Sequence, residues 1–201
     1  MSAIPLIPTE TSTSGESWSL PSRGRIAMFS LIIGESAIFT IFVVAYIFYI
    51  GRSLTGPTPQ QVLDIPIFNT ICLLSSSLTI WLAERCLERN KIRLFGAWWG
   101  LTWVLGVIFL IGTGIEWHKL IYHDGLTIST NLFGTTFYSL VGLHAFHVIV
   151  GLLMLLIVLI FTLTGRIREE HSERIQVLAL YWHFVDAVWV VVFTVVYILG
   201  R

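Results

Sequence analysis

Two pairs of residues in this sequence could do chemistry where chemistry is costly. The closing stretch "YWHFVDAVWVVVFTVVYILGR" carries His183 and Asp186 inside an almost pure hydrocarbon run, and "GLHAFHVIVG" carries His144 and His147. Each pair is spaced i,i+3, which puts its members on one helix face. A fifth ionisable residue, Glu35, lies in "GESAIF". Three chemistries suit such residues. Imidazoles can ligate a metal, carboxylates and imidazoles can pass protons, or all five can satisfy one another across helix interfaces because lipid offers no hydrogen bonds. A metal site needs more than one such pair, and no second helix carries a matching histidine pair. A proton path through Glu35, Asp186 and the histidines stands as the alternative to a structural polar network of His144, His147, His183 and Asp186. No nucleophile with its base and no phosphate-binding loop is present, so no catalytic residue is assigned.

Helices must position these groups, and composition says in what solvent. Of 201 residues, 55% are hydrophobic and 12% charged, and the mean hydropathy is +0.81. A soluble domain of this size would carry about twice that charge. The chain reads as an all-α integral membrane protein. Its net charge of zero gives no reason to expect nucleic acid as a partner. Cys72 and Cys86 lie in apolar surroundings and have no zinc, haem-attachment or disulfide spacing. Residues 1–25, rich in Ser, Thr and Pro, lack the basic start and apolar core of a cleaved signal peptide. They are expected to form a disordered cytoplasmic tail, followed by one domain over 26–201.

A membrane-spanning helix needs about 20 apolar residues. Five stretches qualify: 26–50, 66–83, 95–115, 132–163 and 177–200, separated by breakers or charge runs such as "ERCLERNKIR" and "TGRIREEHSER". Nine Lys and Arg residues fall on one side and three on the other, Arg52, Lys119 and Arg201. The positive-inside rule then puts the N-terminus in the cytoplasm and the C-terminus outside. At a rise of about 1.5 Å per residue, Glu35 lies about 14 Å from the inner end of its span, and His183 and Asp186 about 9 and 14 Å. His144 and His147 lie about 18 and 23 Å from the outer end of theirs, in overlapping layers. Glu116 is expected to emerge at the outer surface. Trp98, Trp99, Trp103 and Trp117 are expected near the span ends, at headgroup depth. A stripe of small and polar residues, Asn69, Cys72, Ser76, Thr79 and Ala83, marks a helix-packing face.

The wording of these segments goes further than their periodicity. "GTTFYSLVGLHAFHVIVGLLML" followed by "YWHFVDAVWVVVFTVVY" resembles the last two helices of subunit III of haem–copper terminal oxidases, with that family's G-x-H-x-x-H-V and W-H-F-x-D-x-V-W patterns. "GESAIF" and "NTICLLSSSLTIW" resemble two earlier helices of the family, so the likeness runs from Ile26 to Gly200. It implies a cofactor-free accessory subunit of a bacterial cytochrome c oxidase in the plasma membrane. In such a complex, haem and copper reside in partner subunits, and subunits I and II are the partners. Subunit III supports proton uptake and the stability of the O2-reducing, proton-pumping machine. Glu35 resembles the family's intramembrane glutamate beside a phospholipid cleft. The five spans look like the last five of the seven-helix mitochondrial type, whose first two helices form the other wall of that cleft. Quinol oxidases and proteins beside nitric oxide reductases have similar subunits. The alternative from another class is a small proton-conducting transporter using Glu35 and Asp186.

Overall fold

The computed structural model of the protein describes residues 22–53, 56–167 and 171–200. The helices are α1 (Arg23–Tyr49), a single turn α2 (Pro59–Val62), α3 (Ile67–Glu88), α4 (Ile92–Tyr122), α5 (Leu132–Leu163) and α6 (Ser172–Phe193). The last of these widens into a π-helix over Thr194–Leu199. All but α2 are long and apolar enough to cross a membrane, five spans among the described residues, which makes the chain a multi-pass membrane protein. The expected tail lies outside the described residues as far as residue 21, as do Arg168 and Arg201. Arg23 and Arg25, expected at its end, instead form the first turn of α1, where the Ser22 side chain caps the Arg25 amide.

Several helices outrun the apolar stretches that announce them. Charged residues read as separators continue α3 to Glu88 and start α4 at Ile92. A helix need not stop where the hydrocarbon does, because its polar end can project into the headgroups. Only Arg89, Asn90 and Lys91 turn the chain between α3 and α4. Asn90 holds a left-handed φ of 57°, the conformation that ends helices and that Asn tolerates. At the other end, α4 runs two turns past Ile115.

The core sits around α6, which packs on α5, α3 and α1, while α4 closes against α3 and α5. α1 and α3 flank α6 and barely meet each other. Lipid tails are as apolar as leucine, so close packing and hydrogen bonds must hold such a bundle together. The α3 stripe does this. Cys72, Ser76, Thr79 and Ala83 are buried, and Thr79 Oγ1 meets Thr102 Oγ1 of α4 at 2.7 Å. A methyl group at Gly112 of α4 would overlap the Asn69 side chain, which therefore lies directly against the α4 backbone there.

Packing adds to one expectation and changes another. Trp99 is fully buried, and its indole N–H donates to the Leu155 carbonyl at 3.0 Å. Trp98, Trp103 and Trp117 are half-buried against the core. Trp99 therefore joins α4 to α5, and the other three indoles pack against the same core. Glu116 does not emerge freely. It accepts a 2.9 Å hydrogen bond from Tyr197 of the π-helical segment, which the longer α4 brings within reach.

Candidate functional site

All five polar residues singled out from the sequence lie mid-helix, and the bundle sorts them into three places. Glu35 and His147 meet between α1 and α5, with His147 Nε2 3.1 Å from Glu35 Oε2. The other ring nitrogen, Nδ1, lies 2.7 Å from the Leu143 carbonyl. A carbonyl only accepts, so Nδ1 carries a proton. The contact with Glu35 then holds one further proton, on Nε2 or on the carboxyl. Phe39 and Phe146 pack their rings against the same imidazole, and together with lipid depth they keep the pair in apolar surroundings.

Asp186 and His183 converge on α3, and the residue that joins them is Ser77. Ser77 Oγ makes a short hydrogen bond to Asp186 Oδ2 and lies 3.2 Å from His183 Nδ1. Ser76 stands beside them. Its hydroxyl gives its proton to the Leu73 carbonyl at 2.6 Å, accepts from Trp182 Nε1 at 2.8 Å, and lies 3.4 Å from Asp186 Oδ2. Asp186 is buried, and its Oδ1 has no protein hydrogen-bond partner among the described residues. A buried carboxylate in lipid is costly unless hydrogen-bonded, and here α3 supplies that bond from Ser77.

His144 joins neither group. It is fully buried, stacked on Trp189 at 5.1 Å and edge-on to Phe109 at 5.9 Å between ring centroids. Neither ring nitrogen has a protein partner among the described residues. The i,i+3 spacing set His144 and His147 on one face, yet the 60° between them is enough to aim one at α1 and the other at α4 and α6. The two i,i+3 pairs read from the sequence therefore do not bond to each other across α5 and α6. Ser77 went unnoticed because it lies one residue off the α3 stripe. The run "SSS" at positions 75–77 is the signal that could have found it.

Among the described residues, no three His, Cys, Asp or Glu side chains cluster as metal ligands would. What the arrangement offers is hydrogen bonding and proton exchange between helices. Cys72 and Cys86 are free thiols, the first buried and the second half-buried.

Comparison with known proteins places this architecture. Residues 9–201 match the family model described as cytochrome c oxidase subunit III. The chain is 37% identical to cytochrome c oxidase subunit 3 of Alkalihalophilus pseudofirmus, over 83% of this chain and 82% of that protein. It is 35% identical to the protein of that name from Synechocystis, over 94% and 82%. It is also 34% identical to cytochrome bo(3) ubiquinol oxidase subunit 3 of Pseudomonas aeruginosa, over 84% and 81%. With nearly its whole length matched, and with the intramembrane Glu35 and the W-H-F-x-D-x-V-W helix set in one five-span bundle, the chain belongs to the cytochrome c oxidase subunit III family.

Proposed function

We propose that this protein is the accessory, cofactor-free subunit III of a cytochrome c oxidase in a bacterial plasma membrane, bound to subunits I and II. The match over residues 9–201 carries this reading. The geometry agrees with it, because Glu35, His147, His183 and Asp186 are used to join helices and His144 is enclosed by aromatic rings. In this role Glu35–His147 fixes α1 to α5, and Asp186–Ser77–His183 fixes α6 to α3. A rigid, cofactor-free bundle would support its partners by packing on them, by holding lipid beside α1, and by keeping the proton uptake of the complex intact.

The relative from Pseudomonas is named for a ubiquinol oxidase, so the donor must be measured. Affinity purification through this chain in mild detergent is expected to bring down haem-bearing subunits in stoichiometric amount. The complex is expected to oxidise reduced cytochrome c and consume O2. Oxidation of a quinol alone would place the chain in a quinol oxidase. Recovery of the chain alone, as a transport-competent oligomer without haem absorbance, would overturn the reading and favour a self-contained proton conductor.

A further inference from the structure

α1 and α3 stand apart across α6, and the gap is a groove of about 650 Å³ at the Arg-rich end of the bundle. Its walls include Arg25 of α1, Glu84, Arg85 and Glu88 of α3, and Gln176 and His183 of α6. The mouth is polar and internally linked, since Arg25 donates to Gln176 at 2.6 Å and Gln176 lies 3.4 Å from Glu88. Arg85 lies over the Trp81 ring, 3.9 Å from its centroid. The groove reaches inward as far as His183, and the hydrogen-bonded line from His183 through Ser77 to Asp186 begins where it ends.

We infer that His183 and Ser77 form a proton relay connecting the groove to Asp186, which makes Asp186 a proton-exchanging site open to the Arg-rich side. Proton counting along the line shows how it works. Ser77 has one proton and two bonded neighbours. With Asp186 ionised, the Ser77 hydroxyl donates to Oδ2, so His183 Nδ1–H donates to Ser77 Oγ and Nε2 keeps the lone pair. A proton delivered by water in the groove binds Nε2. The Nδ1 proton passes to Ser77 as the hydroxyl proton of Ser77 passes to Asp186. The result is a neutral Asp186 donating to Ser77, Ser77 donating to Nδ1, and a neutral imidazole protonated on Nε2. One proton has entered, one carboxylate has been neutralised, and the same hydrogen bonds run in the opposite sense. Release is the reverse.

Nearby groups leave this line undisturbed. Ser76 gives its proton to Leu73, so it does not compete as a carrier. On α5, His147 is engaged by Glu35 and Leu143, while His144 is stacked among rings on Trp189, one turn beyond Asp186. The charged groups facing the groove, Arg25, Glu84, Arg85 and Glu88, lie at its mouth and set the local proton supply. The free Oδ1 of buried Asp186 leaves the carboxyl able to exist in either state without breaking a second bond.

The test is infrared spectroscopy of the intact complex purified through this chain, read from the carboxyl of Asp186 and not from oxidase activity. The proposal can therefore fail while the assignment as subunit III stands, or the reverse. A pH-dependent carboxylic C=O band is expected that Asp186→Asn removes. On transfer to D2O the band should shift rapidly in the wild type, and slow by about a hundredfold in Ser77→Ala, as loss of a positioned proton carrier would do. Ser77→Thr keeps a hydroxyl and is expected to restore fast exchange. His183→Phe, altered at the inner end of the groove, should slow exchange independently if Ser77→Ala does not assemble. Absence of any band lost in Asp186→Asn would overturn the inference. So would wild-type exchange in Ser77→Ala or His183→Phe, or a Ser77→Thr variant as slow as the alanine variant.

Discussion

His147 and Glu35 share one proton across the α1–α5 interface. The Nδ1 proton of His147 is committed to the Leu143 carbonyl, so the 3.1 Å approach of Nε2 to Glu35 Oε2 holds a single proton, whichever atom owns it. α1 is the least buried of the five spans, and this contact is its polar tie to the bundle through α5.

The first prediction concerns that tie. Glu35→Gln presents an amide N–H to the Nε2 lone pair and keeps a hydrogen bond. Glu35→Leu leaves a largely buried imidazole nitrogen unpartnered, at a cost of about 1–3 kcal/mol. Thermal unfolding of the detergent-solubilised complex should show Glu35→Gln near the wild type and Glu35→Leu clearly lower. The double variant Glu35→Leu/His147→Leu should recover part of the loss. Equal losses in the two Glu35 variants would mean that the carboxylate charge, and not the hydrogen bond, holds α1.

Packing supplies the second prediction. Trp182 is fully buried, and its indole is fixed by donation to Ser76. Its ring lies between Gly106 of α4 and Gly151 of α5, where an added Cβ would come within 2.8 Å of ring carbons in both cases. The indole cannot retreat without losing its hydrogen bond. Gly106→Ala and Gly151→Ala should each destabilise the bundle by about 1–3 kcal/mol through overpacking. Gly34→Ala, which meets open space, should be silent by the same melting measurement.

How much of this was legible beforehand follows from what each signal can carry. Hydropathy located all five spans, because burial in lipid demands long apolar runs, but it missed helix ends such as Glu84–Glu88 and Glu116–Tyr122 that leave the hydrocarbon as helix. The small-residue stripe of α3 correctly marked a packing face. Position along the spans singled out Glu35, and i,i+3 spacing His144, His147, His183 and Asp186, as polar groups in the middle of helices. It could not say who bonds whom, because i,i+3 spacing fixes a face to within about 60° and pairing depends on which helices are neighbours. Ser77 and Tyr197, the partners of Asp186 and Glu116, are ordinary residues whose role exists only after packing. The bond from Trp99 to the Leu155 carbonyl was hidden for the same reason, because an indole suits both a headgroup layer and a crowded helix interface.

Orientation yields the third prediction. The loop at 89–91 carries part of the Arg-rich side, and the loop at 123–131 lies at the opposite end of α4. With native Cys72 and Cys86 replaced by Ser, Ser129→Cys should react with a membrane-impermeant maleimide in intact cells. Arg89→Cys should react only after the membrane is opened, as the positive-inside rule requires. The opposite labelling pattern would invert the topology and move the Asp186 groove to the outer side.

His144 carries the last prediction. It has the look of a ligand, a histidine at i,i+3 from another histidine, and its surroundings argue otherwise. The ring is 1% exposed, stacked on Trp189 and edge-on to Phe109, with no protein partner for either nitrogen among the described residues. A buried polar group left unsatisfied costs about 1–3 kcal/mol, whereas an apolar group of similar shape does not bear that cost. His144→Phe keeps an aromatic ring between its two neighbours and should match or exceed the wild type in melting temperature. His144→Ala removes the ring and opens a cavity, with an expected loss of about 2–4 kcal/mol. Both variants should leave iron and copper per complex unchanged in elemental analysis, because nothing here resembles a ligand set. A fall in either metal on His144→Phe, with the subunit still bound, would make His144 a ligand. Equal destabilisation by Phe and Ala would instead show that a ring nitrogen is hydrogen-bonded, in so enclosed a site to a buried water.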